Sequence, residues 1–387
     1  MKLFKAKYMF DGTKLLTDKT VAVKDNIVVD ADSQNTMKKV YNNYEIEDLG
    51  YGVLLPGFVN LHTHLELSYL KNRLPQGKGF VKWLESIILN KHKIEDKTLI
   101  QNSMQKGLDE LYESGVRIVA DISNTLESYN LIKDVMPHSV IFYENYSLLK
   151  NKACAVKQEL ESSMSGIEKK FNKLRIALAI HSIYSTHPCL ISYIANYKKQ
   201  SPLSIHLLES RYENEFLRSS GELFEFLKQA GLIEQNFSYK SAFDYLEKIK
   251  ALRKNTIFVH MVHSEKEDFD KIKNLNSTIA VCPRSNKYIS NELPNLYLME
   301  ESGVNIGIGT DSLASNWDLN FLNELKFIHK NFSQIKSETI FKWATSNGAK
   351  ALSINLGFNK NQIAYPFFMH TESNKPLDEI LEKKDEI

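Results

Sequence analysis

Short apolar runs that end on a polar or ionisable residue alternate, through most of this chain, with longer segments whose apolar positions recur at three and four. The runs predict strands at Val53–Asn60, Val116–Asp121, Ser139–Glu144, Arg175–His181, Leu203–Leu207, Thr256–His260, Thr278–Cys282 and Val304–Thr310. The segments between them, such as Thr98–Ser114, Val156–Phe171, His187–Lys199, Glu213–Gln229, Lys266–Leu275 and Leu319–Asn331, carry helical spacing. Eight β/α units in succession predict an α/β fold, a TIM-type (β/α)8 barrel of ~250 residues before insertions. A doubly wound open sheet is the alternative, and it ordinarily has fewer strands.

The first 53 residues follow another rhythm. Lys2–Phe10 alternates, Asp11-Gly12 signals a turn, and Val21–Val23 and Ile27–Val29 flank Lys24-Asp25-Asn26 as a hairpin. Too few residues lie here to make a core, so a partner strand is expected from Gln362–Thr371. The expected organisation is a small composite β domain from residues 1–53 plus 362–387, and a barrel from 54–361. Residues 210–252 are long for one β/α step and read as an insertion covering a substrate. The tail Asp378–Ile387, mixed in charge, reads as a solvated helix.

Composition narrows the class. At 387 residues the chain exceeds the ~250–300 at which one core stops growing. Its 43% hydrophobic and 25% charged residues are ordinary for a globular protein. A net charge of +2, from 49 basic and 47 acidic residues, leaves no basic footprint for nucleic acid or a membrane surface. Cys154, Cys189 and Cys282 are widely spaced and odd in number, which argues for a reducing compartment rather than a disulfide framework. The N-terminus shows no apolar signal core, and no apolar run approaches the ~18 residues of a membrane span, so a cytoplasmic protein is expected. Apolar positions in the small domain permit a homodimer.

The candidate chemistry lies at the strand ends, where barrels of this kind carry their sites. The first strand runs into His62-x-His64, and alternation puts the two imidazoles side by side, as a metal chelate requires. Alone, such a pair is as often two surface histidines in a loop. The fourth strand ends at His181, the fifth carries His206 with Glu209 three residues on, the sixth ends at His260 and the eighth at Asp311. Five of the 11 histidines thus fall at strand ends, which scattered surface histidines would not do. Three imidazoles and a carboxylate, His62, His64, His206 and Asp311, suit one divalent metal ion, Zn2+ or Fe2+, with a position open to water. Glu209 is the candidate proton shuttle. His260 is the candidate partner of an attacking hydroxide, with His263 a competitor past the apolar strand. A lysine at the fourth strand end would allow a bridge between two metals, and His181 there favours a mononuclear site.

The motifs PGFVNLHTH, HLLE, His260, CPRSN (Cys282–Asn286) and GTDSLASN (Gly309–Asn316) span residues 56–316. In them the chain resembles the amidohydrolase superfamily, and within it the metal-dependent purine and pyrimidine deaminases. HTHLELS, GFVKWL (Gly79–Leu84), HSIYSTHP (His181–Pro188) and HLLES followed by Glu215-Phe216-Leu217 and Gly221 resemble the aminodeoxyfutalosine deaminases. The 5′-methylthioadenosine/S-adenosylhomocysteine deaminases are close neighbours. The resemblance implies a composite β domain from both chain ends. It implies hydrolytic deamination of an N6-amino purine nucleoside-like small molecule, 6-amino-6-deoxyfutalosine going to futalosine and ammonia in menaquinone biosynthesis. It implies metal on His62, His64, His206 and Asp311, with Glu209, His260 and Asp311 handling protons: Glu209 protonates N1 as hydroxide attacks C6, and Asp311 takes the remaining hydroxyl proton toward departing ammonia. The alternatives are an adenosine, methylthioadenosine or S-adenosylhomocysteine deaminase, then a guanine deaminase or another amidohydrolase. A non-enzymatic metal-binding protein would be expected to lose Glu209. The H-x-E with P-C-x-x-C signature of the unrelated zinc deaminases is absent.

Five residues are candidates for the substrate pocket. His181 is placed to donate to a purine ring nitrogen. Glu66 reads as a ribose contact or as support for His64. Phe80 and Trp83 read as an apolar wall or as a helix face packed inward. Arg284 reads as the partner of a substrate carboxylate, which aminodeoxyfutalosine has and adenosine lacks, or as a loop salt bridge. Asn286 reads as fixing its loop rather than touching substrate, and His187 and His263 as residues near the site that satisfy hydrogen bonds.

Overall fold

The computed structural model describes residues 1–91, 93 and 96–383. Seven short strands come first: β1 (Lys2–Lys5), β2 (Tyr8–Phe10), β3 (Leu15–Thr17), β4 (Thr20–Lys24), β5 (Ile27–Asp32), β6 (Ile46–Asp48) and β7 (Gly52–Leu55). Eight more follow with helices between them: β8 (Phe58–Thr63), β9 (Val116–Ser123), β10 (Val140–Asn145), β11 (Arg175–Ser182), β12 (Leu203–Leu207), β13 (Thr256–His260), β14 (Thr278–Val281) and β15 (Asn305–Ile308). The last strand is β16 (Phe367–His370).

β8 to β15 lie parallel and in chain order in one sheet. A seam joins its two ends. Thr63 bridges to Asp311, the Asp311 amide donates to the His62 carbonyl at 3.0 Å, and the Asn60 side-chain amide donates to the Thr310 hydroxyl at 2.8 Å. The sheet is therefore a nearly closed (β/α)8 barrel, and the doubly wound alternative falls. The interior is lined by alternate residues, among them Ile118, Ala120, Phe142, Ala177, Ala179, Val259 and Ala280. Their neighbours Val119, Ile141, Ile176, Leu178 and Ile205 pack outward under the helices.

Two four-stranded sheets flank the barrel, in the orders β5-β4-β1-β6 and β16-β7-β2-β3. β16, inside the expected segment, pairs antiparallel with β7, so both ends of the chain meet in one sheet. The single strand expected at Val53–Asn60 is two. Pro56 has no N–H to give a ladder, and Gly57 sits at φ +85, so the chain turns between β7 and β8. A Cβ on Gly57 would also lie 2.9 Å from the Arg117 side chain.

Residues 210–252 hold three short helices, Tyr212–Phe216, Gly221–Gln229 and Ala242–Lys248, with Phe216, Phe224 and Phe243 buried. The tail corrects its expectation. Helix Pro376–Glu382 buries Leu377, Ile380 and Leu381 against helices Phe321–Asn331 and Ser337–Lys342, because its apolar residues fall at i, i+3 and i+4. Residues 384–387 of that expectation lie outside the described residues. No described helix is long and apolar enough to cross a membrane.

Candidate active site

At the C-terminal rim of the barrel the predicted ligands meet. His62 lies near the end of β8 and His64 directly after it, His206 faces inward from β12, and Asp311 follows β15. The three Nε2 atoms stand 3.1 Å (His62–His64), 3.3 Å (His64–His206) and 3.2 Å (His62–His206) apart. Asp311 Oδ1 lies 3.4 Å from His62 Nε2 and 3.5 Å from His64 Nε2. Its other oxygen accepts from the hydroxyls of Ser285 at 2.6 Å and Ser315 at 2.7 Å, which fixes the carboxylate plane.

The protonation states follow from burial. His206 Nδ1 donates to the His181 carbonyl at 2.7 Å, which turns the Nε2 lone pair to the centre. Burial, then the neighbouring imidazoles, hold His206 well below the usual histidine range. Burial likewise takes His64 to about 4 and His260 to about 3. Burial alone would raise Asp311, but the hydrogen bond from His62 and the charges of the surrounding imidazoles hold it well below the carboxylate range. Imidazole nitrogens and a carboxylate oxygen thus converge on one point, a donor set for a cation. A divalent ion bonded at ~2.0–2.1 Å to imidazole nitrogens sets them ~3–3.4 Å apart, so the donor set fits such an ion. His62, His64, His206 and Asp311 are the residues able to hold it.

Glu209 and His260 stand beside the cage, with Glu209 Oε1 3.5 Å from His260 Nε2. Burial, then the carboxylates of Asp311 and Glu213, push Glu209 well above its ordinary value, which favours its proton-bearing form and suits it to hold and pass a proton. Strand alternation alone would misplace His260. It pairs in register with Leu207, which packs outward, whereas Val259 points in. A left-handed backbone, φ +75, returns its ring to the mouth, where it stacks on His206 at 5.5 Å. Leu208 at φ +52 and Asp311 at φ +58 are similarly turned, and such residues cost ~1–3 kcal/mol each. His260 Nδ1 lies 3.1 Å from Asn286 Nδ2, so Asn286 holds that ring rather than the loop alone.

The other candidates separate. His181 is at the mouth, its ring 5.1 Å from His206 and 5.2 Å from Tyr146, with Nδ1 2.7 Å from the Ser185 hydroxyl. Phe80 is buried between Trp83 and Tyr184, and the half-buried Trp83 donates its indole N–H to the Ala314 carbonyl at 3.0 Å. Glu66 does not support His64. Its carboxylate accepts from the amides of Asn124, Thr125 and Glu127 and the hydroxyls of Ser123 and Thr125, and so shapes the loop after β9. Arg284 is buried and forked onto both oxygens of Asp318 at 2.7 and 2.6 Å, so its charge is answered within the chain. His263 is outside the cage, paired with Glu292 at 3.1 Å. His187 caps helix Pro188–Asn196 by accepting from the Cys189 amide.

Three buried acids escaped the sequence reading. Glu213 accepts from the amides of Leu208 at 3.0 Å, Glu209 at 2.7 Å and Ser210 at 3.4 Å, and so sets the turn that carries Glu209. Asp121 accepts the Leu65 amide at 3.0 Å, just beyond His64. Glu144 ends β10 beside His181 and His206. Asp121 and Glu144 closed predicted strands, and that position was the available signal.

A (β/α)8 barrel whose strand ends gather imidazoles and a carboxylate around one point, with an acid beside it, is the architecture of a metal-dependent hydrolase. The sequence profile of the Amidohydrolase family matches residues 53–364, and the chain belongs to that family. It is 34% identical over 357 residues to an adenosine deaminase of Helicobacter pylori, covering 89% of this chain and 85% of the relative. It is 32% identical over 375 residues to an aminodeoxyfutalosine deaminase of Nitratiruptor, covering 94% and 89%. The solved aminofutalosine deaminase of Helicobacter pylori, in complex with methylthio-coformycin, superposes with a TM-score of 0.87 at 28% identity, covering 99% of this chain and 95% of that one. The chain is an enzyme of the hydrolytic deaminase kind.

Proposed function

We propose that the chain hydrolyses the C6–N6 bond of a 6-aminopurine nucleoside, with 6-amino-6-deoxyfutalosine the preferred substrate and futalosine and ammonia the products, a step of menaquinone synthesis. The observation that carries the chemistry is the cage of His62, His64, His206 and Asp311 set against a buried Glu209, its proton affinity raised, beside His260. Relatives named for aminodeoxyfutalosine, adenosine and methylthioadenosine/S-adenosylhomocysteine support the substrate class.

A divalent ion in the cage, zinc or iron, would supply Lewis acidity and bring the pKa of a bound water from ~15.7 to ~7. The chain's own groups manage the protons. Glu209 holds the proton taken from water and passes it to ring N1 as the oxygen adds to C6. His260 hydrogen-bonds the incoming oxygen. Asp311 accepts the remaining hydroxyl proton and returns it to the exocyclic nitrogen, so the C–N bond breaks, ammonia leaves and the C6 carbonyl forms. One proton of water ends on N1 and the other on ammonia. His181 donates to a ring acceptor and orients the base.

A second reading, an adenosine- or methylthioadenosine-type substrate, is favoured by one observation: the Arg284 fork expected to single out a carboxylate is already filled by Asp318. Ammonia release from metal-reconstituted protein, with aminodeoxyfutalosine, methylthioadenosine, S-adenosylhomocysteine, adenosine and guanine side by side, separates the two. The highest kcat/KM on aminodeoxyfutalosine supports the first. A preference for adenosine or methylthioadenosine keeps the chemistry and discards the pathway, and ammonia from none of them ends both.

A further inference from the structure

Around the barrel rim, the inward-facing strand ends of β8, β11, β12, β13 and β15 all have a place in the reaction above. β10 carries one that does not. Phe142 belongs to the interior cluster, so Glu144, two residues on, faces inward one layer higher, at the rim. It is flanked there by His181 of β11 and His206 of β12, and ligand atoms of the three lie within 4.8 Å of one another.

Glu144 is held in an unusual way. The Asn124 side-chain amide donates to Oε2 at 3.0 Å and to the Glu144 carbonyl at 3.1 Å, and Lys91 Nζ in turn donates to Asn124 Oδ1 at 2.8 Å. One oxygen is thereby pinned by a chain of two residues. The other, Oε1, is buried and has no hydrogen-bond partner. Its nearest ring nitrogen is His206 Nδ1 at 3.8 Å, and that N–H is already given to the His181 carbonyl. A buried carboxylate oxygen without a donor costs free energy, so a fold that fixes one at the mouth of a site keeps it for a donor that arrives with the ligand.

The proposed substrate class limits what that donor is. A 6-aminopurine substituted at N9 presents N1, N3 and N7, all acceptors. Its donors are the exocyclic amino group and the sugar hydroxyls. The amino group must lie at the cage, by Asp311 of the β15 end and His260 of β13. Glu144 stands on β10, beyond His206 and His181 from them. We propose that Glu144 is a specificity-determining residue whose free oxygen accepts a hydrogen bond from a ribose hydroxyl of the nucleoside, the role expected of Glu66, whose own carboxylate the loop after β9 consumes. This rests on the nucleoside deaminase reading.

The test is ammonia release by wild type and Glu144→Gln with adenosine, 2′-deoxyadenosine and 3′-deoxyadenosine, with metal content and thermal midpoint measured on both proteins. Wild type should lose ~10–100-fold in kcat/KM, mostly through KM, on one of the two deoxy substrates, as for a lost hydrogen bond to a charged group. Glu144→Gln should lose a similar factor on adenosine and little more on that deoxy substrate, with metal content unchanged. Equal losses by the variant on all three substrates, or a fall in bound metal, would overturn the proposal and leave Glu144 a support for His181 and His206. Where wild type turns over none of the three, aminodeoxyfutalosine and its 2′- and 3′-deoxy analogues take their place, and ammonia from none of these either overturns the nucleoside reading, and this inference with it. Glu144→Asp, which keeps the charge and shortens the arm, should recover part of the preference for the hydroxylated substrate.

Discussion

Single residues set the chemistry here through what surrounds them. Glu209 binds its proton more tightly than an ordinary carboxylate because it is buried beside two others, and it is aimed because Glu213 gathers the amides of residues 208–210. Glu209→Gln should lower kcat by ~10^2–10^4, with metal content by elemental analysis unchanged. Near-normal turnover would remove Glu209 from the mechanism. Glu213→Ala strands buried N–H groups, each costing ~1–3 kcal/mol. It should lower the thermal midpoint and reduce kcat more than it raises KM, and a variant with wild-type kcat would show that the turn holds without it. His62-x-His64 and His206 with Glu209 were legible because spacing reports shared faces. The partners of those groups were not: Ser285 and Ser315 on Asp311, or Asn286 on His260, come from distant elements and follow no local pattern.

Elements show where pattern suffices and where it misleads. The eight barrel strands were readable within a few residues, because buried parallel strands are short apolar runs. The first was read as one piece because Pro56-Gly57 looks apolar while acting as a turn. The tail helix was read by its charges, although three apolar residues at helical spacing dock it on the barrel. Ile380→Asp puts a charge into that buried contact and should lower the thermal midpoint by several degrees, as a loss of ~1.5–3 kcal/mol requires. An unchanged midpoint would mean that the helix does not stay docked in solution. Arg284 ties the start of helix Pro283–Ser290 to Asp318, ahead of helix Phe321–Asn331. Arg284→Lys breaks a two-pronged pair and should destabilise the fold while leaving KM for every substrate within about twofold. A KM increase confined to aminodeoxyfutalosine would instead make the fork a reader of the substrate carboxylate.

Over the whole molecule, the barrel gathers buried titratable groups whose shifts oppose each other. Burial pushes Asp121 up to about 8 and Glu213 to about 7, so the fold favours their protonated forms. Their contribution is full below the unfolded carboxyl values of ~4 and is lost as pH rises toward 7 and 8. Burial takes His64 to about 4 and His260 to about 3, so the fold favours their neutral forms. Their contribution is full above the unfolded value of ~6.5 and is lost as pH falls through those values. Metal-free protein should therefore be most stable in weakly acidic solution, with its thermal midpoint falling on both sides, and Glu213→Gln should flatten the alkaline arm alone. A midpoint that climbs steadily to pH 8 would contradict these buried acids. The sequence by itself determined the eight β/α units, the histidines and acids at their ends, and the family, because period and spacing are local and the backbone transmits them directly. Only the tertiary structure decided that closure of the barrel between β15 and β8 sets Asp311 against His62, that left-handed turns swing His260 inward, and that Arg284 and Glu66 are consumed by the fold while Glu144 keeps one oxygen free. Those outcomes depend on which distant groups satisfy which, and a one-dimensional pattern does not carry that information.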